Sequence, residues 1–94
     1  MIYVKIHKDV IAMCDEDLIG KKFEDDYRQI EVSERFYKGE LVDEEKIIEL
    51  LEKGTNLNLL GNNVVDIAIK RGFVKEEEVI EIQGVKHVQV YNIN

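Results

Sequence analysis

Apolar and polar residues alternate from the start of the chain, with Ile2, Val4 and Ile6 on one side and Tyr3, Lys5 and His7 on the other. A period of two predicts a strand. Lys8-Asp9 interrupts the pattern and Val10-Ile-Ala-Met-Cys14 resumes it, so two strands joined by a tight turn are expected. Asp15 is placed to cap a single helical turn over Glu16 to Ile19, which Gly20 would end through a positive φ. After a Glu24-Asp-Asp26 loop, Arg28 to Val32 alternates again and predicts a third strand. Ser33 opens a turn carrying Phe36 and Tyr37, and Gly39 closes it.

The period then changes to that of helices. Asp43 predicts an N-cap followed by a helix over 44–53, with Glu44 and Glu45 in its first turn and Val42 and Ile47 at the spacing of a hydrophobic staple. Its apolar stripe is Ile47, Ile48 and Leu51, with Leu50 beside it, and Gly54 stands where a left-handed cap belongs. Thr55 to Leu60 reads as a short apolar link, with an extended conformation left open. Asn62 or Asn63 is expected to cap a second helix with Val64, Val65, Ala68 and Ile69 on its apolar side and Gly72 after it. Val79 to Ile82 and Val85 to Tyr91 predict two strands around Gly84, the second with His87, Gln89 and Tyr91 on one face. The order lacks regular βαβ alternation. It predicts an α+β fold, a two-layer sandwich in which a mainly antiparallel sheet is covered on one side by two helices.

The 94 residues fit one domain over 1–94, and 45% apolar with 35% charged residues is the composition of a folded chain. A single cysteine offers no internal disulfide, and no apolar run is long enough for a bilayer. A cytoplasmic protein with no membrane contact is therefore expected. Abundant Lys, Glu, Ile and Val lean toward thermophile usage. The net charge of −7 disfavours nonspecific attraction to nucleic acid. Residues 1–38 carry seven Lys or Arg against nine acids, and 39–94 carry six against eleven, so any basic face belongs to the first half.

Candidate chemistry concentrates between Cys14 and Lys21, where the only thiol, three acids and a Gly-Lys pair follow an apolar strand. A helical turn would lower the Cys14 pKa, whereas Asp15, Glu16 and Asp17 oppose a second negative charge. The carboxylates lack the spacing of a calcium loop, and consecutive acids on one turn diverge. Cys14, His7 and His87 fall short of the four ligands of a structural zinc site. A Cys14–His87 nucleophile pair has no third residue to orient it. Gly20-Lys21-Lys22 lacks the frame of a phosphate-wrapping loop. Lys21, Lys22 and neighbouring cations, with Phe36 and Tyr37, carry residue types that stack bases and screen phosphates, although aromatics of this kind more often anchor a core.

Four fragments together resemble an archaeal family of uncharacterised proteins, the domain-of-unknown-function family DUF424. They are Cys14-Asp-Glu-Asp-Leu-Ile-Gly-Lys21 with Phe23, Val32-Ser-Glu-Arg-Phe-Tyr37 with Gly39-Glu-Leu-Val42, Asn58-Leu-Leu-Gly61, and Gly84-Val-Lys-His-Val-Gln89. Lys86 departs from the family pattern, which places proline before the histidine. The resemblance spans nearly the whole chain and implies an archaeal cytosolic source and an α+β fold, with no catalytic assignment and an association with translation or RNA handling.

The function expected from these readings is a non-enzymatic binding or adaptor module without a cofactor or metal, its partner a protein or an RNA-associated complex. Its surface would draw on Cys14, Asp15, Glu16, Asp17, Lys21, Lys22, Tyr37, His87 and Gln89. The alternative is a small enzyme or metal protein centred on Cys14, the acids Asp15 to Asp17, and His87. A thiol in hydrogen-bond reach of His87 would favour the second reading, and a buried thiol the first.

Overall fold

The computed structural model describes residues 1–92. Strands β1 (Ile2–Ile6) and β2 (Ile11–Asp15) form the expected hairpin, pairing from Ile2 with Asp15 to Ile6 with Ile11. A 3-10 turn over Glu16–Leu18 leads to β3 (Lys22–Glu24) and β4 (Gln29–Glu31), followed by the short helix α1 (Glu34–Tyr37) and β5 (Glu40–Val42). Helix α2 (Glu44–Lys53), β6 (Asn56–Leu60) and α3 (Asn62–Lys70) come next, then a 3-10 turn over Glu76–Glu78, β7 (Ile80–Ile82) and β8 (Val85–Tyr91). Six strands make one sheet in the order β5-β1-β2-β6-β8-β7, and β3 and β4 make a separate ribbon. All pairs are antiparallel except β2 with β6.

The α+β class therefore holds, with four departures from the expected layout. The expected link 55–60 contains the central strand β6, whose Leu57 and Leu59 alternate with Asn56 and Asn58. The strand expected over 28–32 pairs with β3 outside the main sheet, and β5 adds an edge strand. Gly54 is extended, at φ −72° and ψ 144°, and its N–H bonds the Leu50 carbonyl at 2.7 Å. Glycine is required there by crowding instead, because a Cβ would overlap the Leu57 side chain and the Leu50 carbonyl oxygen.

The fourth departure concerns the covering of the sheet. Residues in register alternate between its two faces. The first face presents Ile2, Val4, Met13, Leu57, Leu59 and Val88 to Ile47 and Leu51 of α2 and to Val64, Val65 and Ala68 of α3 in one continuous core. Two helices thus cover this face, with Asp43 accepting from Lys46 N at 3.0 Å as the cap of α2. The second face is also covered over part of its area. Ala12, Cys14 and Leu60 meet Leu18, Val32 and Tyr37 in a smaller core, with Phe23, Ile30 and Phe36 packed against it. No helix among the described residues is long and apolar enough to cross a membrane.

Candidate functional site

The Cys14 to Lys21 segment does not gather into one site. Cys14 is fully buried, and its thiol donates to the Asp15 carbonyl at 3.3 Å. Burial, reinforced by Asp15 and Asp17, pushes that thiol up to about 12, which keeps it protonated at neutral pH. Asp15 lies on the opposite sheet face from Cys14 and is 5% exposed. It makes no cap to the turn that follows it. Its carboxylate reaches instead to the start of α3, accepting from Asn63 N at 2.9 Å and Val64 N at 3.0 Å. Two of the orphan donors of that helix are thereby satisfied from another strand.

This corrects the expected caps. The N-cap position of α3 is Gly61, at φ 123° and ψ 148°, where a Cβ would collide with the Asp15 carboxyl. Asn62 points back to β8, its Nδ2 donating to the Gly84 carbonyl at 3.0 Å and its Oδ1 accepting from Lys86 N at 2.9 Å. Burial raises the Asp15 pKa, while the two backbone donors pull it down. Glu16 and Asp17 diverge from it. Glu16 is exposed and pairs with the N-terminal amine at 2.9 Å, and Asp17 is exposed. Among the described residues no three His, Cys, Asp or Glu side chains converge as metal ligands would.

Residues Tyr37, His87 and Gln89 are brought together by Asn58, which the sequence offered only as part of the Asn58-Leu-Leu-Gly61 fragment, and by Asn56, which it did not single out. Tyr37 Oη donates to Asn58 Oδ1 at 2.7 Å, and His87 Nε2 lies 3.2 Å from the same oxygen. Asn58 Nδ2 donates to Gln89 Oε1 at 3.1 Å, Gln89 Nε2 to Asn56 Oδ1 at 2.5 Å, and Asn56 Nδ2 to the Asp9 carbonyl at 2.8 Å. The direction of this chain is fixed at its end, because a backbone carbonyl only accepts. Working back, each amide is oriented in turn, and Asn58 Oδ1 must accept from both Tyr37 and His87. His87 is therefore the Nε2–H tautomer, with Nδ1 left as an acceptor. Nδ1 has no partner, and no polar side-chain atom of the described residues is both buried and unpaired, so Nδ1 meets solvent.

The registers Asn58 with Gln89 and Asn56 with Tyr91 place this network on the second face, toward the Asp9 turn, where the smaller core ends. Burial lowers the His87 pKa, so the imidazole is neutral at neutral pH. Burial likewise raises that of Tyr37. The site offers neutral donors and acceptors in fixed positions and no activated nucleophile. The alternation of Asn56, Leu57, Asn58 and Leu59 was the signal that could have found it.

The cations expected with this face are distributed around it. His7 stacks on Phe36, ring centroids 4.7 Å apart, and its Nε2 donates to the Phe36 carbonyl at 2.8 Å, while Lys5 Nζ donates to the Arg35 carbonyl. Lys21 and Lys22 are exposed at the base of the ribbon, with no carboxylate within 4 Å among the described residues. At the ribbon's tip Asp25 Oδ1 accepts from Tyr27 N and Arg28 N, which holds Tyr27 at 92% exposure.

Comparison with curated proteins gave no match. A crystal structure of an uncharacterised conserved protein from Methanopyrus kandleri has the same fold, with a TM-score of 0.70 and 27% identity over 97% of this chain and 89% of that one. The profile of the family described as protein of unknown function, DUF424, matches residues 4–93. The chain belongs to the DUF424 family.

Proposed function

We propose that this protein is a non-enzymatic binding module whose contact surface is the second face of the sheet, floored by the Tyr37–Asn58–Gln89 network and flanked by the ribbon. One observation carries the reading. Cys14 is buried and bonded to a backbone carbonyl, while His87 is committed to Asn58, so the two groups that would have made a reactive pair have separate partners. A raised thiol pKa removes the thiolate that nucleophilic or metal chemistry needs.

The network supports binding because its remaining lone pairs and N–H groups are held in place before a partner arrives. A partner then meets donors and acceptors whose ordering has already been settled by folding. A protein or an RNA-associated complex of the cytoplasm is the proposed partner class. Affinity capture from archaeal lysate with the wild type and with a Gln89→Ala, His87→Ala variant tests this. A partner held by the first and lost by the second, with an unchanged circular dichroism spectrum, is expected. A partner held equally by both would overturn the placement of the surface.

A further inference from the structure

The backbone edge of β8 beyond β7 is open, and its position follows from the hydrogen-bond parity of the strand. Gly61 N donates to the Lys86 carbonyl at 2.8 Å and Asn92 N donates to the Thr55 carbonyl at 2.9 Å, so the even-numbered residues of β8 direct their backbone groups toward β6. The odd-numbered residues face the other way. Val85 and His87 find partners there in Ile82 and Ile80. Gln89 and Tyr91 do not, and no backbone partner for either exists among the described residues. Buried backbone groups are nearly always paired, so these face water.

The step arises because β7 stops early. Continued in register, Glu78 and Glu76 would stand opposite Gln89 and Tyr91. They leave the ladder instead in the 3-10 turn, with Glu78 N bonded to the Lys75 carbonyl at 3.0 Å and Val79 N to the Glu76 carbonyl at 3.1 Å. The open step is therefore one strand wide, and the turn that leaves it carries exposed Glu76, Glu77 and Glu78, with Glu76 near Lys86, Glu78 Oε1 accepting from Lys75 N at 2.9 Å and Glu81 on the adjoining strand. The cations nearby are Lys75 and Lys86, and Lys86 is already paired with Asp66 at 2.9 Å.

We propose that the step on β8 beside Gln89 and Tyr91 accepts an extended, basic segment of a partner protein as an added strand. Main-chain bonds to the free N–H and C=O groups of these two residues would hold the segment. The glutamates favour Lys or Arg on it, and Tyr91, 69% exposed, presents its ring to a cation opposite. A second copy of this chain is the poorer occupant, because pairing two β8 edges would set one glutamate cluster against the other. The surface is an edge, distinct from the sheet face proposed above, and each proposal can fail without the other.

The probe is a fluorescein-labelled peptide of alternating Lys and Val, with its Glu–Val counterpart as control. Fluorescence anisotropy at low salt is expected to show binding of the first alone. Amide exchange of Gln89 and Tyr91 is expected to be fast in the free protein and slowed by the Lys–Val peptide. Tyr91→Pro removes an outward N–H and no β6 ladder bond, and should weaken binding by about tenfold or more, whereas Tyr91→Phe should stay within about threefold. The exchange measurement needs no variant and decides the matter should Tyr91→Pro fail to fold. Slow exchange at these amides without peptide, equal binding of both peptides, or concentration-dependent dimerisation that protects them would overturn the proposal.

Discussion

At the scale of single residues, Asp15 shows how a motif reading and a structural role part company. A carboxylate before a helical turn is a cap signal, but the helix it caps begins 46 positions later than the one expected, at Asn62 rather than at Glu16. Only the pairing of β2 with β6 brings them together, and a long-range pairing has no local signature. Replacing Asp15 by Ala should cost about 1–3 kcal/mol in denaturant unfolding, because two helix donors, Val64 N buried and Asn63 N partly so, lose their acceptor. Gly61→Ala should be at least as damaging, since its φ of 123° disfavours any side chain and a Cβ there would collide with the Asp15 carboxyl. The pH dependence has a definite sign. A carboxyl whose folded pKa lies above its unfolded value binds its proton more tightly in the folded state, so its contribution falls as pH rises through that window. Relative to Asp15→Asn, the wild type should gain stability from neutral pH down to about pH 4, and a difference that shrinks on acidification would contradict the raised pKa. Cys14 gives a simpler test. With its pKa pushed up to about 12 and no exposure, the thiol should resist a disulfide reagent in the folded protein and react once it is unfolded; rapid reaction under native conditions would restore the reactive reading.

At the scale of elements, legibility followed the strength of local signals. The hairpin β1–β2, helix α2 and helix α3 were readable because alternation, the Asp43 cap and the 3.6-residue stripe each act within a few residues. Ile47 and Leu51, both fully buried between α2 and the sheet, bear out the stripe. Leu51→Ala should therefore cost about 2–5 kcal/mol. A loss below about 1 kcal/mol by urea unfolding would mean the stripe does not anchor the core. Strand β6 was obscured although it alternates, because Asn is poor in strands and Gly54 and Gly61 at its ends punctuate like loop residues. Both glycines answer to contacts from elsewhere, a Leu57 side chain and the Asp15 carboxyl, which the sequence does not display. The same strand supplies Asn56 and Asn58, so the missed element and the missed half of the candidate site are one omission. The Tyr37, His87 and Gln89 members were found because a strand face and an aromatic turn announce themselves locally.

At the scale of the whole molecule, the sheet divides the protein into a face sealed by two helices and a face sealed only in part, and charge decides which partners the second can accept. The excess of acid is spread over both halves of the chain and is steeper in residues 39–94, at six cations against eleven acids. Nucleic acid would approach a molecule of net charge −7 against its long-range field. Contact with RNA must then come from cations that carboxylates do not neutralise locally. Lys21 and Lys22 meet that condition on the ribbon beside the open face, whereas Arg28 is spent on Asp25 at 3.2 Å. Lys70 and Arg71 are also exposed, but they end α3 on the sealed face. Binding of structured RNA, where it occurs, should be weak and salt-sensitive, because only a few phosphates can be neutralised and each contributes to the slope of affinity against salt. Lys21→Glu with Lys22→Glu should abolish it and leave the unfolding curve almost unchanged, since both side chains are exposed and make no ion pair among the described residues. Lys70→Glu with Arg71→Glu should have little effect. A filter-binding titration across a range of salt concentrations separates the outcomes: RNA affinity that survives the Lys21 and Lys22 changes, or that persists at high salt, would place the contact on another surface, and no binding at the lowest salt would leave a protein as the partner of the second face.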